Sequence, residues 1–374
     1  MSPLAALSPA LLRQLSSLKT LLFSHTSRAY IVGGAVRDLL LGRPVKDIDI
    51  EVYDIAPEAF DALMHSWGAK GVGKSFFVYK FGDIDLSLPR LETKVAKGHQ
   101  GFEVRACQDE RLASKRRDFT INALMLHLFD EKLVDFWGGS VDLKVGVLRL
   151  VDAQKFGEDP LRVLRGVRFA ASFGFHIAPQ TQEIMKKLNI LELSQTRITW
   201  ELEKLFIAPF VAHGVLYMYR LGLFDTLFGI TPSWRAVAKF SRALMRHLPY
   251  CPPSLRPYLW LFVACHYFDF DASMVVQKLA LPSRYRRFLE KTPFGHEHMS
   301  DYELVQVALT RPLKTWVGIA RPGYEARARA LGVYECVFDG GVRVEEVMAE
   351  GFCGKTLGEE LRRRIRARAK SLYM

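Results

Sequence analysis

The segment Lys46-Asp47-Ile48-Asp49-Ile50-Glu51 alternates acidic with branched apolar residues. Alternate side chains of a strand share a face, so Asp47 and Asp49 point one way while Ile48 and Ile50 pack behind them. Two carboxylates side by side repel each other unless a cation sits between them, and hard oxygen ligands favour Mg2+. Taken alone, such a pair is more often a solvated strand face. It follows closely on Gly33-Gly34-Ala35-Val36-Arg37-Asp38, which leaves a predicted strand and enters a predicted helix. Paired glycines let backbone N–H groups converge on an anion, and the helix start adds positive potential, so this turn suits a phosphate. A phosphate-type turn just ahead of a metal-type carboxylate pair is what nucleotidyl transfer needs.

Two further segments carry clustered charge. One is Arg116-Arg117-Asp118-Phe119-Thr120-Ile121-Asn122-Ala123; the other runs from Glu158 to Phe169. In the second, Asp159 reads as an N-cap and Pro160 as the first helical residue. Arg162, Arg165 and Arg168 then recur on the stripe that Asp159 begins. A capped helix with one ion pair and a solvated basic face would look the same. Asp85, in the alternation Ile84-Asp85-Leu86-Ser87-Leu88, is the candidate for a third acidic metal ligand. The run from Gly68 to Ser75 fits GxxxxGK(S/T), but a helical pattern precedes it and a strand pattern follows. That is the reverse of a phosphate-binding P-loop, so Lys74 is read as a loop lysine. His296 with His298, and Cys265 beside His266, lack further ligands at metal spacing and read as structural.

The elements that must position these residues follow from periodicity. Tyr30–Val32, Ile48–Val52, Phe76–Phe81, Ile84–Leu88 and Leu133–Phe136 have strand length and composition, and Pro57–Trp67 has helical spacing of Phe60, Leu63, Met64 and Trp67. Beyond Leu150 helical periodicity dominates, punctuated at Pro179, Pro209, Pro252, Pro253, Pro282 and Pro312. Residues 1–37 hold no acidic residue and space Leu11, Leu12, Leu15, Leu18 and Leu22 helically. This reads as an amphipathic helix packed on the first domain, with an organelle transit segment as the alternative.

The whole chain, 374 residues with 49% hydrophobic and 25% charged residues, has a globular composition. Its five cysteines include no CxxC pair and fit a reducing compartment. The longest uncharged apolar stretch, Pro257 to Phe268, is too short to cross a bilayer. A formal charge of +12 calls for a polyanionic partner.

YIVGGAVRDLLLGRPVKDIDIEVYDI (from Tyr30), KRRDFTINAL (from Lys115) and FGEDPLRVLRGVRFAASFGF (from Phe156), in that order, resemble the class II tRNA nucleotidyltransferase and poly(A) polymerase family. The similarity spans residues 20–210 and continues faintly in RITWELEKLF and GFCGKTLGEELRRRI. It implies an α+β fold: a polymerase-β-like nucleotidyltransferase head, with a small mixed sheet and helices, followed by an elongated all-helical neck, body and tail. The expected divisions are an N-terminal helix (1–28), a catalytic head (29–150), a neck for base and nucleotide recognition (151–212), and a tRNA-binding body and tail (213–374).

By the same resemblance Gly33, Gly34 and Arg37 contact the triphosphate, Asp47 and Asp49 hold catalytic Mg2+, and Arg117 touches the nucleotide. Asp159 and Arg162 read the base, with Arg165 and Arg168 nearer the phosphates. The base-reading role has a physical rationale: cytosine and adenine both present an amino donor beside an unprotonated ring nitrogen, which an aspartate and an always-protonated arginine complement. Uracil and guanine present the reverse order and would leave both buried groups unpaired. The implied activity is template-independent addition of CMP and AMP, from CTP and ATP, to the tRNA 3′ end in the cytoplasm, with no membrane partner. Poly(A) polymerase, CC-only or A-only activity, and an inactive RNA-binding protein are the alternatives. The segment 91–114, containing Lys97-Gly98-His99-Gln100-Gly101, is where specificity is expected to differ. The basic run Arg362 to Lys370 is expected to contact the RNA backbone.

Overall fold

The computed structural model describes residues 3–73, 78–94, 102–289, 293–296 and 298–374, with no side chains described at 72–73, 92–94 and 102–104. Lys74, the start of the expected strand at 76–81, and the segment 97–101 lie outside the described residues. The chain divides into two compact units, Met1–Leu193 and Ser194–Met374. The division falls inside the segment 151–212 expected as one neck.

The first unit runs α1 (Pro9–Phe23), β1 (Ala29–Val32), α2 (Gly34–Leu40), β2 (Ile48–Val52), α3 (Pro57–Ser66), β3 (Lys70–Gly73), β4 (Val78–Phe81) and β5 (Ile84–Ser87). It continues with β6 (Arg90–Lys94), β7 (Phe102–Ala106), α4 (Glu110–Lys115), β8 (Met125–His127), β9 (Leu133–Val134) and α5 (Gly139–Val145). It closes with β10 (Val147–Leu148), α6 (Ala153–Gly157), α7 (Leu161–Phe173), β11 (His176–Ile177) and α8 (Pro179–Met185).

One mixed seven-stranded sheet carries the order β3-β4-β5-β2-β1-β8-β9. β2 pairs antiparallel with β1 and parallel with β5, a register that sets Asp49 beside both Val32 and Asp85. Ile31, Ile48, Ile50 and Leu86 are fully buried behind this ladder. Strands β3 and β8 went unread in the sequence: β3 is half glycine, and β8 is three residues long, too short for a period-two signal. At the other end, the strand expected over 133–136 shortens to Leu133–Val134. α1 has Ser8 at its N-cap and buries Leu11, Leu15, Leu18 and Leu22. It docks on the sheet unit through Trp67, whose indole N–H donates to Ser17 at 3.2 Å. The GxxxxGK(S/T) segment folds, where described, as a strand after a helix.

The second unit is helical among its described residues: α9 (Gln195–Phe206), α10 (Val211–Arg220), α11 (Leu223–Phe228), α12 (Trp234–His247), α13 (Arg256–Tyr267) and α14 (Ala272–Lys278) come first. Then follow α15 (Arg284–Leu289), α16 (Asp301–Ala308), α17 (Tyr324–Ala330), α18 (Val344–Ala349) and α19 (Gly354–Tyr373). Its core is aromatic: Trp260 of α13 stacks on Phe206 at 4.9 Å and meets Phe240 edge-on at 5.0 Å. His296 pairs with Glu303, and His266 stacks on Phe294. No described helix is long and apolar enough to cross a membrane.

Candidate functional site

The site begins where β1 ends. Gly33 has φ +74° and ψ −133°, a conformation closed to side-chain-bearing residues, and its N–H donates to the Leu124 carbonyl at 3.2 Å. A Cβ at Gly33 would sit 2.7 Å from Arg117 Nη1, so the missing side chain is what lets that guanidinium lie against the turn. α2 starts at Gly34. Arg37 on it is buried, donating to Asn122 Oδ1 at 2.6 Å and to both oxygens of Asp38 at 3.0 and 2.8 Å, with Phe173 beneath it at 4.7 Å.

Asp47, just before β2, and Asp49 on it are exposed while Ile48 and Ile50 are fully buried, the alternation expected of this strand. Burial of part of the Asp49 carboxyl raises its pKa, and Asp85, Asp47 and Glu51 add to the rise against the pull of Arg117. Although the residue is open on one side, three neighbouring carboxylates crowd its charge. Such crowding favours a bound cation. Lys80 lies 3.3 Å from Asp85. Among the described residues no group of three or more His, Cys, Asp or Glu side chains could hold a metal unaided. A cleft of about 230 Å³ opens here, lined by Asp49, Glu51, Asp85, Arg90, Arg116 and Arg117.

The sequence motif itself implies no role for Glu51. It continues the alternation of Asp47 and Asp49, yet it is buried, and its Oε1 accepts from Arg116 at 2.7 Å and Arg117 at 2.9 Å while Oε2 accepts from Tyr53 at 3.1 Å. Burial opposes its charge, but Arg117, Arg116 and Tyr53 outweigh it and hold the pKa below the ordinary glutamate value. The only sequence signal was its place on the metal-facing side of the strand.

The loop after α4 ties this cleft to α7. Arg162 donates from Nη1 to the Lys155 carbonyl at 2.9 Å and from Nη2 to the Arg116 carbonyl, and Arg165 Nε meets Asp118 at 2.7 Å. Asp118, buried, also accepts from the Phe119 N–H and from Asn122 Nδ2, the same Asn122 that holds Arg37. α7 begins at Leu161, one residue later than expected, with Pro160 at the cap position; Asp159 still accepts the Leu161 N–H at 3.1 Å. The first turn is tight, with Arg162 and Val163 N–H bonding three residues back, which shifts the start. Gly166 lets α7 close on Phe119, since a Cβ there would meet Phe119 Cζ at 2.9 Å. Arg168 stacks over the Phe169 ring at 3.9 Å. Arg37, Asn122, Asp118 and Arg165 thus share one hydrogen-bonded chain, and Arg162 holds the backbone of the same 116–118 loop, whose Arg117 lies against Gly33.

Residues 29–149 match the sequence family described as the Poly A polymerase head domain, and residues 174–236 match the probable RNA and SrmB-binding site of polymerase A. The multifunctional CCA protein of Nitrosospira multiformis is 44% identical over 165 residues, covering 43% of this chain and 38% of that protein. Its namesake from Nitrosomonas eutropha is 39% identical over 228 residues, covering 59% and 50%. The chain therefore spans half or less of the length of these relatives. Among solved structures, the Bacillus stearothermophilus CCA-adding enzyme in complex with CTP is 25% identical with a TM-score of 0.68, covering 98% of this chain and 94% of that one. The Thermotoga maritima CCA-adding enzyme complexed with tRNA-CCA shares the fold at 22% identity and a TM-score of 0.73, covering 100% and 94%.

Proposed function

From the match of residues 29–149 to the Poly A polymerase head domain and of residues 174–236 to the probable RNA and SrmB-binding site of polymerase A, we propose that this chain is a template-independent tRNA nucleotidyltransferase. It adds CMP and AMP, from CTP and ATP, to the tRNA 3′ end and releases pyrophosphate. The observation carrying this reading is the grip of Arg162 and Arg165 on the 116–118 loop, because it holds α7, whose Asp159 and Arg162 would read the base, against the loop that carries Arg117. The likeness to CCA-adding enzymes complexed with CTP and with tRNA supports the substrates, and the bacterial relatives support a cytoplasmic setting.

Asp47 and Asp49 would hold Mg2+, with Asp85 as the candidate third carboxylate. Mg2+ there supplies activation of the RNA 3′-hydroxyl and neutralises charge on the triphosphate. The 3′-oxygen attacks the α-phosphorus in line as the bond to pyrophosphate breaks. Gly33, Gly34 and Arg117 would orient the triphosphate, and the buried Arg37 would add positive potential beneath the turn. Asp159 would accept the amino group of cytosine or adenine while Arg162 donates to the ring nitrogen, with Arg165 and Arg168 toward the phosphates.

The deciding assay supplies CTP and ATP, singly and together, to tRNA transcripts ending before CCA, at CC and at CCA. Addition that stops after CCA is the expected result. Open-ended A tails would instead identify a poly(A) polymerase, addition of CC alone or A alone a split-specificity enzyme, and no incorporation at all an RNA-binding protein.

Gly33→Ala tests the turn. It forces a side chain onto φ +74° and into Arg117, a backbone strain of about 1–3 kcal/mol. The expected outcome is a KM for CTP raised about tenfold, the mark of lost nucleotide binding. A wild-type KM would remove Arg117 from the nucleotide site.

A further inference from the structure

Glu51 sits on an interior strand of the sheet, where β2 registers it with Tyr30 of β1 and Ser87 of β5. Its side chain is only 2% exposed, and Oε1 alone accepts from two consecutive arginines, Arg116 and Arg117. The other oxygen is held from behind by the Tyr53 hydroxyl, which donates at 3.1 Å. Tyr53 is fully buried and meets Tyr30 edge-on at 5.5 Å. Tyr30 in turn donates to Glu110, which also accepts from Arg28 Nε at 2.9 Å. The carboxylate is therefore fixed by the sheet and by the core beneath it. The guanidiniums it grips reach it from the loop between α4 and the turn at Thr120–Asn122.

A long loop side chain loses rotamer freedom when it closes on a ligand. Arg117 has lost that freedom beforehand. Its Nη2 lies on Glu51 while Nη1 lies at the Gly33 turn, within 2.7 Å of where a Cβ would stand. Its Nε–H is buried and has no acceptor among the described residues, a donor for which an incoming oxyanion supplies the partner. Asp49 lines the same cleft, yet among the described ion pairs Arg117 takes Glu51 and not Asp49. Two guanidiniums on one acceptor repel each other, so the arrangement depends on the full negative charge of that acceptor. A neutral amide of the same shape would not hold both, and the freed Arg117 would turn its donors to the Asp49 carboxylate.

We propose that Glu51 is a positioning residue: it presets Arg117 to receive the triphosphate of the incoming nucleotide, whichever base that nucleotide carries. The role rests on the nucleotidyltransferase reading, and it gives the third carboxylate of the alternation a task different from that of Asp47 and Asp49. A contact made to the triphosphate is common to CTP and ATP, so its loss weakens both alike.

The test measures equilibrium binding of CTP and of ATP to the full-length protein, with KM and kcat for CTP on tRNA ending before CCA and for ATP on tRNA ending at CC. Glu51→Gln should weaken both nucleotides by the same factor, about tenfold, while kcat falls less than about threefold. Glu51→Asp, which keeps the charge, should bind both more tightly than Glu51→Gln. In an Arg117→Ala background Glu51→Gln should add nothing, since the two residues act as a unit. Wild-type or tighter binding by folded Glu51→Gln overturns the proposal, because a residue that only tempers the positive potential would strengthen anion binding when neutralised. So does a full tenfold loss in the Arg117→Ala background, and so does a loss confined to one nucleotide, which would place the effect at the base. Should Glu51→Gln misfold, Tyr53→Phe, which frees Oε2 and leaves the charge, must weaken both nucleotides by about threefold. Unchanged binding there overturns the proposal as well. Failure of the enzymatic reading looks different: the wild-type protein itself would bind neither nucleotide and incorporate none, and the role of Glu51 would fall with it.

Discussion

Replacing Asp47 and Asp49 together by alanine should lower nucleotide incorporation into tRNA by about 10³-fold or more, roughly 4 kcal/mol of transition-state stabilisation. The melting temperature should hold or rise. Both expectations come from one observation: the pair is exposed, and the neighbouring carboxylates together with burial push the Asp49 pKa upward. A group whose folded pKa lies above its unfolded value contributes stability only at low pH, and loses it as pH rises through the folded pKa. At neutral pH the ionised Asp49 is therefore a burden on the fold. Circular-dichroism melting beside single-nucleotide incorporation separates the two effects. Substantial turnover by the double variant with Mg2+ would remove these residues from catalysis.

Asp118→Ala should have the opposite profile, a large loss of stability. The carboxylate accepts from Arg165 Nε at 2.7 Å, Asn122 Nδ2 at 2.9 Å and the Phe119 N–H at 2.8 Å, so its removal strands all three donors. Breaking a buried charged network on one side costs about 3–5 kcal/mol. Burial alone would raise the Asp118 pKa, but Arg165, Asn122 and Arg162 overcome it and bring it to about 2. Because the folded pKa lies below the unfolded value, its contribution, about 2 kcal/mol, is complete above roughly pH 4 and disappears as pH falls toward 2. Urea unfolding at pH 7 and in the acid range should show this contribution in the wild type and none in Asp118→Asn. Equal acid sensitivity in both proteins would exclude Asp118 as its source.

Much of the catalytic head was legible because its signals are local. The alternation through Asp47, Asp49 and Glu51 follows from strand geometry, and the paired glycines before α2 announce a turn whatever the rest of the chain does. The helical stripe of Arg162, Arg165 and Arg168 is equally local. Those patterns indicate which residues share a face, but not what that face meets. Arg37 lies beside the glycine turn in sequence, yet Asn122, Asp38 and two phenylalanines draw it into the interior. Glu51 shares a strand face with Asp47 and Asp49, yet Arg116 and Arg117, arriving from a distant loop, turn it into a buried anchor.

The sequence by itself determined the element types, the family signature and the chemistry its carboxylates and arginines can perform, since backbone periods of 2 and 3.6 are written residue by residue. Only the tertiary structure decided which charges remain available. Parallel pairing of β2 with β5 brings Asp85 to Asp49, and the closure of α7 on the 116–118 loop commits Arg162 and Arg165. On α19, Glu350 and Glu360 neutralise Arg363 and Arg364. A charge acts on a ligand according to its counter-charges and its burial, and both are set by contacts between segments far apart in the chain.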